Sequence, residues 1–322
     1  MLKSRRSRQA TYVLLTLTAF SMTLFLWPAN DSRSVLVDDR DPTTEPPRTH
    51  REVELVIAST TKENPSWAYR HFSHWNPQVY VTDNQSATLT VPRNKGHEAM
   101  VYLTYIIDHY NNLPDSILFI HASRFQWHND DPDYDIVPTL RNLQFPYLRE
   151  SGYVNLRCAW AIGCPSEIRP FEDEGEAEAD GLSVSTKSVF RHAFRELLPE
   201  VPVPAVVAVS CCSQFGVARE TVQRHPRERY LGLRSWLLET PLDDAVSGRV
   251  LEFSWHIVFG RDAVHCPAAG ECYCKVFGQC GLACSESSCD GRYVLPSYST
   301  LPEGWPRRGW DREDRGYTGS LD

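Results

Sequence analysis

Ten cysteines, set in clusters, constrain this chain more than any other feature. Cys158 and Cys164 stand near each other, Cys211 and Cys212 are adjacent, and Cys266, Cys272, Cys274, Cys280, Cys284 and Cys289 fall within one short segment. An even count in such clusters reads as a disulfide framework, built in an oxidising compartment. Zinc is the rival reading, but these spacings lack the paired Cys-x2-Cys rhythm of zinc ribbons and fingers. Disulfides are therefore preferred to metal or free thiols. A bridge between the neighbours Cys211 and Cys212 would be strained, so each is expected to pair elsewhere, or one to stay buried as a thiol. The segment from Cys266 to Cys289 shows little regular patterning and is expected to be a stapled loop.

The N-terminus points to the same compartment. Residues 1–9, "MLKSRRSRQ", are basic, and an uncharged run follows that suits a membrane anchor over 10–28. No small-residue cleavage site follows it, which favours an uncleaved signal-anchor with the basic end in the cytoplasm and the rest of the chain in the lumen. Residues 29–51 are polar and proline-bearing, as in a stem. A catalytic-type domain is expected over 52–292 and a Gly-, Pro- and Arg-rich tail over 293–322. Asn30 and Asn84 open Asn-x-Ser sequons, and Asn84, farther from the membrane, is the better acceptor for glycan.

The composition of the whole 322-residue chain is that of an ordinary globular protein, with 42% hydrophobic residues to supply a core. Its 33 basic residues against 41 acidic ones give a net charge of −8, which argues against a broad nucleic-acid footprint and against DNA as a partner.

The hydrophobic pattern predicts an α/β fold, with a mixed, mostly parallel sheet flanked by helices and a disulfide-rich C-terminal loop. "VELVIAST", "QVYVTDN" and "SILFIHAS" read as buried strands. Between the last two lies "HEAMVYLTYIIDHY", whose Met100, Leu103, Ile106, Ile107 and Tyr110 share one helix face, with Pro114 as a stop. "TKSVFRHAFRELLPE", "RERYLGLRSWLLET" and "RVLEFSWHIVFG" read as further helices, and "PVPAVVAVSCCSQFGVARE" as a buried strand running into a helix. "FEDEGEAEADG", residues 171–181, reads as a solvated acidic loop.

In such sheets ligands bind beyond the carboxyl ends of the strands. There the sequence places "WHNDDPDYD", residues 127–135, with two overlapping Asp-x-Asp pairs made by Asp131, Asp133 and Asp135. Alternate carboxylates after a strand can converge on Mn or Mg and hold a diphosphate, as in nucleotide-sugar transferases of the A-type fold. Aspartates are also common in turns and caps, where they only satisfy backbone amides. His128 is a candidate general base, or a structural histidine. His121, Arg124, Trp127 and Glu98 are candidates for substrate binding, against ordinary packing roles. Glu252 and His256 lie four apart and are expected to share a helix face, as a proton-transfer pair or as a plain ion pair.

Four stretches together, "HEAMVYLTYIIDHYNNLPDSILFIHASRFQWHND", "CCSQFGVARE", "SGRVLEFSWHIVFG" and "CPAAGECYC", resemble a fungal, often membrane-anchored family of domains of unknown function. The resemblance runs from about Val53 to Cys280. It carries a link to arginine-containing cyclodipeptide synthases of secondary metabolism, which join arginine and a second residue drawn from aminoacyl-tRNA into a diketopiperazine. The resemblance implies that Asp131, Asp133 or Asp135 pairs with the arginine guanidinium, and that His128 or Glu252 accepts the amine proton. Three readings follow: this synthase first, a lumenal metal-dependent glycosyltransferase-like enzyme second, and a non-catalytic, membrane-tethered binding module third. Aminoacyl-tRNA is cytosolic, so the cysteines and the anchor oppose the first.

Overall fold

A computed structural model of the protein describes residues 51–173, 185–292 and 300–321. The basic segment, the expected anchor, Asn30, nearly all of the stem and most of the acidic run 171–181 lie outside them. Among the described residues no helix is long and apolar enough to cross a membrane.

The chain runs β1 (Val53–Ser59), α1 (Ser66–Phe72), β2 (Gln78–Val81), α2 (Glu98–His109) and β3 (Ser116–His121), then α3 (Ile136–Asn142), α4 (Phe145–Ser151) and β4 (Tyr153–Asn155). There follow α5 (Thr186–Leu197), β5 (Ala208–Val209), β6 (Phe215–Ala218), α6 (Arg219–Val222) and α7 (Arg227–Glu239). The last elements are α8 (Asp244–Glu252), α9 (Trp255–Val258), β7 (Val264–His265) and α10 (Ala269–Phe277). The main sheet has the order β2-β1-β3-β6-β4, while β5 and β7 form a separate parallel pair. β2, β1 and β3 are parallel, and β6 runs antiparallel to both β3 and β4. Four of the five strands thus point the same way. This is the mixed, mostly parallel α/β sheet that the strand–helix pattern predicts.

Burial on both faces explains the unbroken apolar runs of the central strands. Side chains alternate across a strand. Val56, Ile117 and Phe119 therefore enter one core with α2, α5, α7 and α8, whereas Leu55, Ile57, Leu118 and Ile120 enter the other with α1, α3, α4 and α10.

All ten cysteines are paired: Cys158–Cys272, Cys164–Cys266, Cys211–Cys212, Cys274–Cys280 and Cys284–Cys289. The preference for disulfides holds. The expectation that Cys211 and Cys212 would each pair elsewhere is overturned, since they bridge each other. The backbone absorbs the constraint there, with positive φ of 138° at Cys212 and 54° at Ser213. The approach of a neighbouring loop fixes this corner. The amide of Val209 donates to Gly163 O and that of Cys211 to Ile162 O. Gly163 has φ +103°, and a Cβ on it would lie 1.9 Å from Val209 O, so only glycine fits.

Two other expectations are corrected. The cysteine-rich segment is not all loop, because α10 lies within it and packs Tyr273, Val276 and Phe277 into the second core. "RVLEFSWHIVFG" is not one helix. The Ser254 hydroxyl donates to Val250 O, the amide of Ser254 turns back to Leu251 O, and the helix restarts only as α9. Back-bonding of this kind by serine bends helices. The C-terminal residues also do more than trail: Trp305 donates to Asp133 O, at 2.6 Å, and Arg315 pairs with the Asp133 carboxylate.

Asn84 is exposed in the turn after β2. Secretion from a glycosylating host is expected to give a glycan there. An Asn84→Gln variant should then run at the mobility of endoglycosidase-treated protein, and unchanged mobility would remove this site.

Candidate functional site

The loop after β3 answers the question set by its aspartates. Asp135 caps α3 by accepting from Val137 N, and it holds Arg124 bidentately, Nε–Oδ1 2.9 Å and Nη2–Oδ2 2.7 Å. Asp131 Oδ1 accepts the amides of Asp133 and Asp135 at 2.9 and 3.4 Å. Burial raises the Asp131 carboxyl to about 6. Asp133 faces Arg315 from the C-terminal segment. Each expected metal ligand is thus committed to the loop or its neighbours. Among the described residues no group of three or more His, Cys, Asp or Glu side chains is placed to hold a metal ion. The geometry does not fit the Asp-x-Asp expectation, and the turn-and-cap alternative describes it.

Asn129 and Asp130, inside the same stretch, are staples. Asn129 Nδ2 donates to Arg124 O and Tyr134 O, and its Oδ1 accepts from Gln214, which in turn accepts the amide of His121. Asp130 Oδ2 accepts the amides of Cys158 and Ala159 at 2.7 and 3.0 Å, and Oδ1 accepts the Tyr273 hydroxyl at 2.6 Å. These buried bonds pin the loop to β6 and α10. They carry Trp127 and His128 to the carboxyl end of the sheet.

A cavity of about 490 Å³ opens at that end. Its wall takes Glu98 from the first turn of α2, His121 from the end of β3, Trp127 and His128 from the stapled loop, and Glu252 from the last turn of α8. The Cys211–Cys212 bridge also lines it. Of the expected site residues, the fold therefore gathers Glu98, His121, Trp127, His128 and Glu252. It leaves out Arg124 and the three aspartates. His256 is also excluded: it is fully buried, bonded through Nε2 to Ala263 O, and held down at about 4 by burial. The break at Ser254 puts it and Glu252 on separate helices, so they do not share a face.

Close backbone approach brings Glu98 and Glu252 to one cavity. Gly248 lies one turn before Glu252, and a Cβ there would stand 3.0 Å from Gly96 O and 2.9 Å from the His97 ring. α8 can therefore lie against the start of α2 only with glycine at this point. His97 caps that start with φ 51°, in the left-handed region, where a non-glycine residue is uncommon. Neither Glu98 nor Glu252 has a hydrogen bond or ion pair among the described residues. Burial, and then the charge of Glu98, raise the Glu252 carboxyl to about 8. It is protonated at neutral pH. The nearby Glu167 is instead paired with Lys187 at 3.1 Å.

The two histidines stack with ring centroids 4.7 Å apart. His128 Nδ1 meets Gln126 Oε1 at 3.1 Å, and burial with the charges of His121 and Arg157 lowers it to about 2. It stays neutral and supplies shape and a lone pair, not a cation. His121 Nε2 donates to Cys212 O at 2.8 Å, which leaves Nδ1 as its acceptor nitrogen. Sequence reasoning missed His97, Glu167, Lys187 and Arg249, all of which line the cavity. Each comes from a loop or helix end with no local motif to mark it.

Comparison with known proteins adds one finding. Residues 55–275 match a family described as a protein of unknown function, DUF3431. No curated protein and no solved structure gives a significant match.

Proposed function

The chain belongs to the DUF3431 family, and from that premise we propose that it is a group-transfer enzyme of an oxidising, lumenal compartment, working through Glu98 and Glu252. The observation that carries the reading is the pair itself. Two glutamates without partners face one cavity beyond the carboxyl ends of β1 and β3, beside His121. Structural carboxylates in this protein are paired or hydrogen-bonded, as Asp130, Asp135 and Glu167 are. A half-buried acid kept protonated next to a second carboxylate suits proton transfer in both directions. In this mechanism Glu252 gives its proton to the leaving group and Glu98 takes one from the attacking acceptor. Five disulfides support the lumenal placement. They favour the glycosyltransferase-like reading over a synthase that depends on cytosolic aminoacyl-tRNA. The aspartate loop takes no part as a metal site.

One observation keeps the arginine-directed reading as second. The same two glutamates, held in no direct ion pair among the described residues, would suit the planar guanidinium of an arginine substrate. The test separates the two. The secreted protein is screened for transfer or slow hydrolysis of nucleotide-sugar donors, with and without Mn or Mg, and the culture is searched by mass spectrometry for arginine-containing diketopiperazines. Donor turnover that falls about 10²–10⁴-fold in Glu98→Gln and Glu252→Gln supports the first reading. Diketopiperazine that disappears in the same variants replaces it with the second. Turnover of either kind unaffected by both substitutions removes the glutamate pair from the mechanism.

A further inference from the structure

A second cavity, of about 420 Å³, opens at the carboxyl ends of β1 and β2. It shares His97, Glu98 and His121 with the first. The rest of its wall differs in chemistry. Ser59, Thr60, Thr82, Asn94, Glu63 and Asp244 present hydroxyl, amide and carboxylate oxygens, and its rings are only the shared imidazoles of His97 and His121, with no lysine or arginine. Several of these groups are already held in place. Glu63 accepts the Thr60 amide and hydroxyl at 2.8 and 3.0 Å, Thr82 Oγ1 donates to Ser59 O, and Asp244 accepts the Gly96 amide. These bonds hold the wall's oxygens on a fixed frame. The first cavity, by contrast, carries Trp127, Ile168, Phe253 and the disulfide alongside Lys187 and Arg249.

Three carboxylates, Glu63, Glu98 and Asp244, with no lysine or arginine, make the wall a poor seat for a phosphate, and its surface, more polar than apolar, makes it a poor one for an acyl chain. Oxygen acceptors at several angles, with the Asn94 amide as a donor, suit a ligand with many hydroxyl groups to donate. We infer that this second cavity seats a neutral polyhydroxylated acceptor, a sugar-like polyol, whose reacting hydroxyl meets Glu98 and His121 at the wall the two cavities share. The inference rests on the transfer reading above and names its second substrate. In the step, the acceptor O–H bond breaks and its proton passes to Glu98. The acceptor oxygen bonds to the transferred group, whose bond to the leaving group breaks, and the leaving group departs with the proton of Glu252. His97, the residue before Glu98 at the start of α2, lines both cavities and has a positive φ of 51°.

Binding is measured without turnover, by saturation-transfer NMR on the secreted protein. The probes are methyl α-D-mannopyranoside, methyl β-D-galactopyranoside, methyl β-D-glucopyranoside and myo-inositol at millimolar concentration. Asn94 is exposed on the rim of the second cavity, and Ala245 is exposed on the rim of the first. At least one probe is expected to bind the wild type, to lose about tenfold or more in affinity in Asn94→Trp, and to keep its affinity in Ala245→Trp. Circular dichroism confirms that both variants are folded. Glu252 lines only the first cavity. Glu252→Gln therefore leaves polyol binding intact whatever it does to turnover, so failure of the catalytic reading is distinguishable from failure of this one. Four silent probes, or a signal equal in Asn94→Trp and wild type, would overturn the inference.

Discussion

Asp130→Ala is expected to destabilise the protein by about 3–5 kcal/mol, a loss on the scale of removing a structural disulfide. The carboxylate is buried and accepts three bonds, from the Cys158 and Ala159 amides and from the Tyr273 hydroxyl. Its removal leaves two amides and a phenol without their acceptor in the interior. Each such group costs about 1–3 kcal/mol when left unsatisfied, which the lost bonds alone would not predict. The site also lies on a covalent joint, because Cys158 is bridged to Cys272, next to Tyr273. Asp130 and the disulfide therefore hold the same two pieces of chain together, the exit of β4 and α10. Asp130→Asn keeps an acceptor for the amides and is expected to lose roughly half as much, and Tyr273→Phe about 1–2 kcal/mol. Urea unfolding of the three variants, with hydrogen exchange at the Cys158 and Ala159 amides, checks the ordering. An Asp130→Ala loss below about 1 kcal/mol would contradict it.

That a conspicuous acidic motif is mostly scaffold shows what sequence can and cannot carry here. The strands β1, β2 and β3 and the helix α2 were legible, since burial on two faces writes apolar runs and a single apolar face writes a three-to-four repeat. A cavity beyond the end of β3, where the same pattern puts ligands, is what the fold shows. The roles within "WHNDDPDYD" were not legible. A turn that must satisfy its own amides and a metal cage select the same residue, and only the partners tell them apart. Arg124, Arg315 and Tyr273, drawn from within the loop and from 143–182 residues along the chain, are those partners. The Glu252–His256 pairing failed for a local reason, a serine hydroxyl spent on the carbonyl four residues back. The expectation that Cys211 and Cys212 would not bridge each other failed for a backbone one, two successive positive φ angles that composition does not announce. Glu98, by contrast, was named as a binding residue, although Gly248, which allows α8 to bring Glu252 beside it, carries no signal of its own.

Glu252→Gln is expected to make the protein more stable and less active at once. The Glu252 carboxyl stands at about 8 against an ordinary 4.5. Below pH 4.5 it is protonated in both the folded and unfolded chain, and the substitution changes little. Between 4.5 and 8 the unfolded chain releases this proton while the folded one keeps it, so wild-type stability falls as pH rises. Above 8 the folded protein carries the charge beside Glu98, and the penalty is complete. At 1.36 kcal/mol per pKa unit the shift sets an upper bound of about 5 kcal/mol, and partial exposure to the cavity brings the expected gain to about 1–3 kcal/mol. The neutral amide keeps the shape and removes the ionisation. Denaturation midpoints of wild type and Glu252→Gln should therefore coincide near pH 4 and separate progressively up to pH 8, with the variant higher. A constant offset at all pH values, or a variant less stable than wild type at pH 8, would mean that Glu252 has a partner in the folded protein. It would then be an ordinary structural carboxylate. A gap that opens with pH identifies a group kept against stability, and such a group is retained for what it does to a ligand.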